Sequence, residues 1–140
     1  MSTNYNNNDS GSRNKEKLIY PELSYLLTGI CFDTHNACGR FAREKQYCDF
    51  LEEKFKGLKI NYKREHNISS GNIVDFMVEE KIILEVKAKK LINQEDFYQL
   101  QRYLQSSNKR LGLLVNFRNR YLKPVRIVRI DTDARKKFFN

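Results

Sequence analysis

Residues 72–80 and 81–89 read NIVDFMVEE and KIILEVKAK, two runs of strand-forming residues placed back to back. The connection near Glu79 to Lys81 is short enough only for a tight hairpin, so the two strands should be antiparallel neighbours. In the second run apolar residues stand at both parities, which suits a strand whose sheet is covered on both faces. The chain therefore needs helices for both sides of a central sheet. Three charged residues interrupt this apolar frame: Asp75 in the first strand, and Glu85 and Lys87 in the second. Charged groups lose much hydration when buried, so their presence calls for partners or for a purpose.

The flanking sequence supplies the helices. Pro21 suits a first helical turn, and Leu23, Leu26, Leu27, Ile30 and Cys31 follow helical spacing towards an end between His35 and Gly39. A second helix is expected from Ala42 to Lys56, stopping at Gly57, with Tyr47, Cys48, Leu51 and Phe55 on its inner stripe. Three residues before Tyr47, Glu44 falls on or beside that apolar face. LKINYKREH (58–66) reads as a first strand and SSGN (69–72) as a turn. After the hairpin, residues 93–107 read as a helix with Phe97, Leu100 and Leu104 on one face and Asn93 or Gln94 as its N-cap. RLGLLVNF (110–117) and PVRIVRI (124–130) are the closing strands. The order helix, helix, three strands, helix, strand, strand predicts an α/β sandwich: a mixed central sheet with helices on both faces.

At 140 residues the chain accommodates one domain with a real core. Residues 1–17 are polar and asparagine-rich, an expected disordered tail, leaving 18–140 as a single domain. No apolar run approaches the roughly 20 residues of a membrane span, and the N-terminus has no secretory pattern, so an intracellular, cytoplasmic protein is expected. Cys31, Cys38 and Cys48 have neither disulfide-framework nor zinc-site spacing and are expected to be reduced thiols. With 26 Lys plus Arg against 17 Asp plus Glu, the net charge of +9 favours polyanionic partners, nucleic acid foremost.

Strand alternation places Glu85 and Lys87 on one face, and the hairpin brings Asp75 beside Glu85. In the preceding strand, Ile73, Asp75 and Met77 should share one face and Val74, Phe76 and Val78 the other. Two adjacent carboxylates repel unless a cation lies between them. Mg²⁺ uses one or two carboxylates together with waters and phosphate oxygens, and a nearby lysine can orient a water or stabilise phosphoryl charge, the needs of phosphodiester hydrolysis. A purely structural alternative is a buried Asp75–Lys87 ion pair with Glu85 at the sheet edge.

Asp75 followed ten residues later by Glu85-x-Lys87, on adjacent strands in this order of elements, resembles the PD-(D/E)XK nuclease superfamily. The chain is similar in particular to its GxxExxY branch, through Glu44 and Tyr47, with Arg40 or Phe41 where the second glycine usually falls. DTHNACG, with His35 and Gly39, resembles that branch's His-x-x-x-Gly helix end. QLQRYL, with Gln99 and Tyr103, resembles its Gln-x-x-x-Tyr segment, and RLGLLVNF its closing strand. The resemblance spans residues 22–130; Val74 occupies the nominal proline position.

It implies a restriction-endonuclease-like fold and Mg²⁺- or Mn²⁺-dependent hydrolysis of DNA or RNA. It further implies Asp75 and Glu85 as metal ligands, Lys87 as catalytic lysine, Glu44 as a further carboxylate at the metal, and Gln99 lining the site. Lys89 and Lys90, beyond the catalytic strand, are candidate contacts to a nucleic-acid backbone. So is the basic run Lys109, Arg110, Arg118, Arg120, Lys123 and Arg126. The alternative function is a catalytically silent nuclease-like module that binds nucleic acid or protein. Without a separate recognition domain, a partner that delivers substrate, or a homodimer, enters as an expectation.

Overall fold

The computed structural model describes residues 19–133. Both the expected tail, 1–17, and the last residues, 134–140, lie outside the described part. Helices α1 (Pro21–Cys38) and α2 (Glu44–Gly57) precede strands β1 (Tyr62–Ser69), β2 (Asn72–Val78) and β3 (Ile82–Lys87). Helix α3 (Gln94–Ser107) then leads to β4 (Leu111–Asn116) and β5 (Val125–Val128). The strands form one five-stranded sheet in sequence order. All neighbours pair antiparallel except β3 and β4, which are parallel across the α3 crossover. This is the mixed, doubly covered α/β sheet of a restriction-endonuclease-like fold.

Local chemistry explains the element ends. Pro21 opens α1, and Gly39, with φ of 75°, closes it by donating its N–H to His35 O. At α3, Asn93 Oδ1 accepts from Asp96 N–H and Asp96 Oδ2 accepts from Asn93 N–H, a reciprocal cap. Both hairpins turn through two left-handed residues, Ser70–Gly71 and Glu79–Glu80, the conformation that matches strand twist.

Two apolar cores lie on the two sides of the sheet. Leu27, Ile30, Cys31, Tyr47, Leu51 and Phe55 of α1 and α2 pack on Phe76, Val78, Leu84, Val86, Leu113 and Val115. Phe55 and Phe76 meet edge to face at 5.3 Å. Leu100 and Leu104 of α3 pack on Val74, Met77, Ile83 and Leu114 from the other side.

Several details depart from the expectations. The stripe of α1 runs through Leu27, Ile30, Cys31 and Thr34, leaving Leu26 exposed because it sits about 100° around the helix from Leu27. Strand β1 begins at Tyr62 rather than at Leu58 and runs on past His66, which pairs opposite Val74. β3 ends at Lys87, so Lys89 and Lys90 lie in the bend beyond it. Among the described residues no helix is long and apolar enough to cross a membrane.

Candidate active site

The β2–β3 ladder runs from Val78↔Ile82 to Phe76↔Leu84 and stops one residue short of the pair that Asp75 and Glu85 would form. There the side chains take over from the backbone. Glu85 Oε1 accepts the Asp75 N–H at 2.9 Å, and Asp75 Oδ2 accepts the Val86 N–H at 2.7 Å. The same level is irregular in β1: Arg64↔Phe76 and His66↔Val74 pair, but Glu65 does not pair with Asp75 and has a left-handed φ of 49°. For a glutamate that conformation costs about 1–3 kcal/mol.

This break changes which way β2 faces. Val74 packs on the α3 side whereas Phe76 and Val78 pack on the α1–α2 side, which two residues of an unbroken strand cannot do. The expected grouping of Val74 with Phe76 and Val78 is thus overturned. Asp75 consequently opens onto a cleft of about 220 Å³ lined also by Glu44, Lys45, Cys48, Arg64 and Glu65. Arg64 is committed to Asp49 at 2.7 Å and Glu52 at 2.9 Å, and does not neutralise Asp75.

Glu85 is 5 % exposed. Burial pushes its carboxyl up to about 8, and the neighbouring Asp75 charge adds to this; the Asp75 N–H and Lys87 only partly oppose them. Burial likewise raises Asp75, with the Glu44 charge contributing, against the Val86 N–H and Lys87. Asp75 Oδ1 and Glu85 Oε2 accept no hydrogen bond among the described residues, and neither is sealed from solvent.

Lys87 does not pair directly with Asp75. Its ammonium donates to Gln99 Oε1 at 3.3 Å and lies 3.9 Å from Asp96 Oδ1, so α3 holds it at the end of β3. Gln99 therefore meets the site through the lysine. Lys89 donates to both Asp96 oxygens, at 3.1 and 2.9 Å, while Lys90 is exposed. Burial alone would raise the Asp96 carboxyl, but the Asn93 N–H and the Lys89 and Lys87 ammonium groups hold it below the usual range. The Tyr103 phenol is raised by burial and then by the Glu85 and Asp75 charges, and its ring packs with the α3 core.

Asp75 and Glu85 are joined across the break, Lys87 at the end of the same strand meets Gln99, and Glu44 stands across the cleft from Asp75. Tyr47 is core: it stacks on Phe117 at 4.4 Å and its hydroxyl donates to Gly39 O. His35 contacts the Asn119 carbonyl in the turn after β4, rather than the end of its own helix. The basic run is dispersed. Lys109 and Arg110 precede β4 whereas Arg118 and Arg120 follow it, and Arg126 is occupied with Ser24 and Ile19.

Three contributors escape the sequence reading. Asp96 is signalled only by the Asn93-x-x-Asp96 cap spacing. Asn116 clips the Lys89 N–H and carbonyl at 3.1 and 2.8 Å, extending the β3–β4 alignment past Lys87. Glu65 has no signal beyond being one more acid opposite Asp75.

The fold and this acid–acid–lysine grouping define a nuclease-like α/β domain. The chain belongs to the PD-(D/E)XK nuclease superfamily, whose family model matches residues 21–130, from α1 through β5. No curated protein and no solved structure matches the chain. Superfamily members generally use divalent metals. Here no group of three or more His, Cys, Asp or Glu side chains closes into a metal cage among the described residues. The donor set still fits a hard cation: two neighbouring carboxylates, each with one oxygen that accepts no hydrogen bond among the described residues, suffice for an ion that completes its shell with water and phosphate oxygens.

Proposed function

We propose that the chain is a metal-dependent nuclease that hydrolyses phosphodiester bonds of DNA or RNA. The observation that carries this is the pair Asp75 and Glu85, each tied by one oxygen to the opposite strand and each with its other oxygen free, beside a lysine held by α3. The free oxygens of Asp75 and Glu85 would hold Mg²⁺ or Mn²⁺, with Glu44 across the cleft as a further carboxylate. When bound, such an ion supplies Lewis-acid charge to the phosphoryl group.

The chain's own groups do the rest. Lys87 donates hydrogen bonds at the scissile phosphate, orienting the attacking water and countering the charge that builds on the phosphate oxygens. Gln99 fixes the direction of that ammonium. Water adds to phosphorus and gives one proton to solvent, the bond to the leaving oxygen breaks, and that oxygen takes a proton from solvent to leave as the hydroxyl. Asp96 pairs most closely with Lys89, leaving Lys87 to meet the phosphate, and Lys90 meets the flanking backbone.

Within the superfamily we assign the chain to the GxxExxY branch, on Glu44 at the cleft and Tyr47 beneath it. Three free cysteines agree with a reducing, cytoplasmic setting. The test is cleavage of end-labelled single- and double-stranded DNA and RNA with Mg²⁺ or Mn²⁺, beside Lys87→Ala and Glu85→Gln. Wild type should cut at least one substrate, with both variants about 10²–10⁴-fold slower. Equal cutting by all three proteins sinks the assignment; binding without cutting supports the silent module instead.

A further inference from the structure

Residues 39–43 and 117–121 read GRFAR and FRNRY, with four arginines, three aromatics and no acid. The fold brings these two segments together. Arg40 Nε donates to Arg118 O at 2.9 Å, His35 bonds Asn119 O, and Tyr47 stacks on Phe117. Phe41 sits against two guanidinium groups, Arg40 at 4.9 Å and Arg118 at 5.3 Å from its ring centre, yet remains 74 % exposed. So large an exposure leaves ring surface open beside both cations. Arg120 lies 5.3 Å from the ring of Tyr121, itself 78 % exposed. Arg118 Nε is buried without a hydrogen-bond partner among the described residues.

The patch borders the cleft. Phe41 is three residues before Glu44, so their Cα atoms are within about 11 Å. Phe117 N–H bonds Lys87 O, which puts the second segment directly beyond the lysine.

We propose that this rim binds single-stranded nucleic acid, an unpaired base stacking on Phe41 while Arg118 and Arg120 hold the phosphates beside it. The inference deepens the nuclease reading and rests on it for the meaning of the cleft. A free strand offers π-faces to an exposed ring, whereas the bases inside a duplex are already stacked on one another. The arginines supply the backbone contacts and grip the ring by cation–π attraction. An acidic protein could satisfy the arginines, but it would not favour unpaired over paired strands.

The test is fluorescence anisotropy of the full chain in EDTA, with labelled 15-nucleotide single strands and the matching duplexes. Single strands should bind more tightly than duplex. Phe41→Ala should weaken single-strand binding roughly 5- to 150-fold and spare duplex binding, and Phe41→Trp should restore it. Arg118→Gln and Arg120→Gln should each lower the salt slope by about 0.7. Duplex bound as tightly as single strand, unchanged binding by Phe41→Ala, or no nucleic-acid binding at all overturns the proposal. Mn²⁺-dependent cleavage with Lys87→Ala is run in parallel. Lys87-dependent cutting with Phe41-independent binding defeats only the stacking rim, and Phe41-dependent binding without cutting defeats only the nuclease reading.

Discussion

Replacing Glu85 by Gln should make the metal-free protein more stable, although Glu85 lies at the centre of the site. Its carboxyl has an ordinary value of 4.5, raised to about 8 in the fold by burial and then by Asp75. The folded state therefore binds this proton more tightly than the unfolded chain does. The stability associated with the protonated group is fully present below about pH 4.5 and drains away as pH rises towards 8, where the loss levels off. At pH 8 the ionised group costs the fold on the order of 4 kcal/mol. A glutamine keeps the oxygen that accepts the Asp75 N–H and turns an NH₂ towards the Asp75 carboxylate. We expect roughly 3 kcal/mol of added stability at pH 8, or roughly 10 °C in Tm, shrinking to within about 1 kcal/mol at pH 4.5. Urea and thermal unfolding in EDTA at pH 4.5, 6 and 8 measure this directly. Mg²⁺ or Mn²⁺ should then stabilise wild type by about 2.7 kcal/mol at a hundredfold excess over Kd, and the variant by less. A variant less stable than wild type at pH 8, or a difference independent of pH, would refute the reasoning.

Other expectations test the supporting structure. Asp96→Asn keeps an acceptor for the Asn93 N–H but leaves Lys89 without its counter-charge, and should cost about 1–3 kcal/mol at pH 7. Because the Asp96 carboxyl is held below its ordinary value of 3.8, its stabilisation is present above that pH and lost as pH falls through the lowered value, so urea titrations at pH 7 and pH 3 should show the variant's deficit shrinking. A Cβ on Gly112 would meet both Leu100 methyls at 2.9 Å, so Gly112→Val should destabilise by about 1–3 kcal/mol, and by less in a Leu100→Ala background. Burial pushes Cys31 and Cys48 up to about 12, so at pH 8 a thiol reagent should label native protein chiefly at half-buried Cys38, and all three cysteines only after unfolding. Rapid labelling of all three in the native state would contradict the packing around α1 and α2.

Periodicity and turn chemistry carried the architecture. The inner stripe of α2, the doubly apolar β3 and the short hairpin after Val78 all express backbone geometry that repeats along the chain, so local sequence reports it. Glu85 and Lys87 were legible for the same reason, being charged residues at one parity of a buried strand. The pairing of Lys89 with Asp96 is not legible locally, because Asp96 lies on the next helix and no local pattern distinguishes a paired lysine from a free one. Val74 was misassigned because alternation was extended through Asp75 as though the strand were regular. The irregularity depends on Glu65 in the strand on one side and Glu85 in the strand on the other, a three-strand event without a periodic trace.

That irregularity and the acid pair are one feature. In an unbroken ladder the Asp75 and Val86 amides would bond to backbone carbonyls, and Asp75 would face α3 with Met77, away from Glu44. At the break, each carboxylate takes the place of a carbonyl: one oxygen satisfies an amide that would otherwise be orphaned, and that bond fixes the other oxygen's direction. The change of parity turns Asp75 towards α2 and the cleft that Glu44 lines, while Lys87 stays on the α3 side with Gln99 and Asp96. The gap between β2 and β3 thus lets Asp75, open to the α2 cleft, and Glu85, which shares the Lys87 parity of β3, bond across the break. A flat, fully paired sheet would hold the two sets apart by its own thickness, so the lost hydrogen-bond pairs and the left-handed Glu65 are the structural cost of assembling the site.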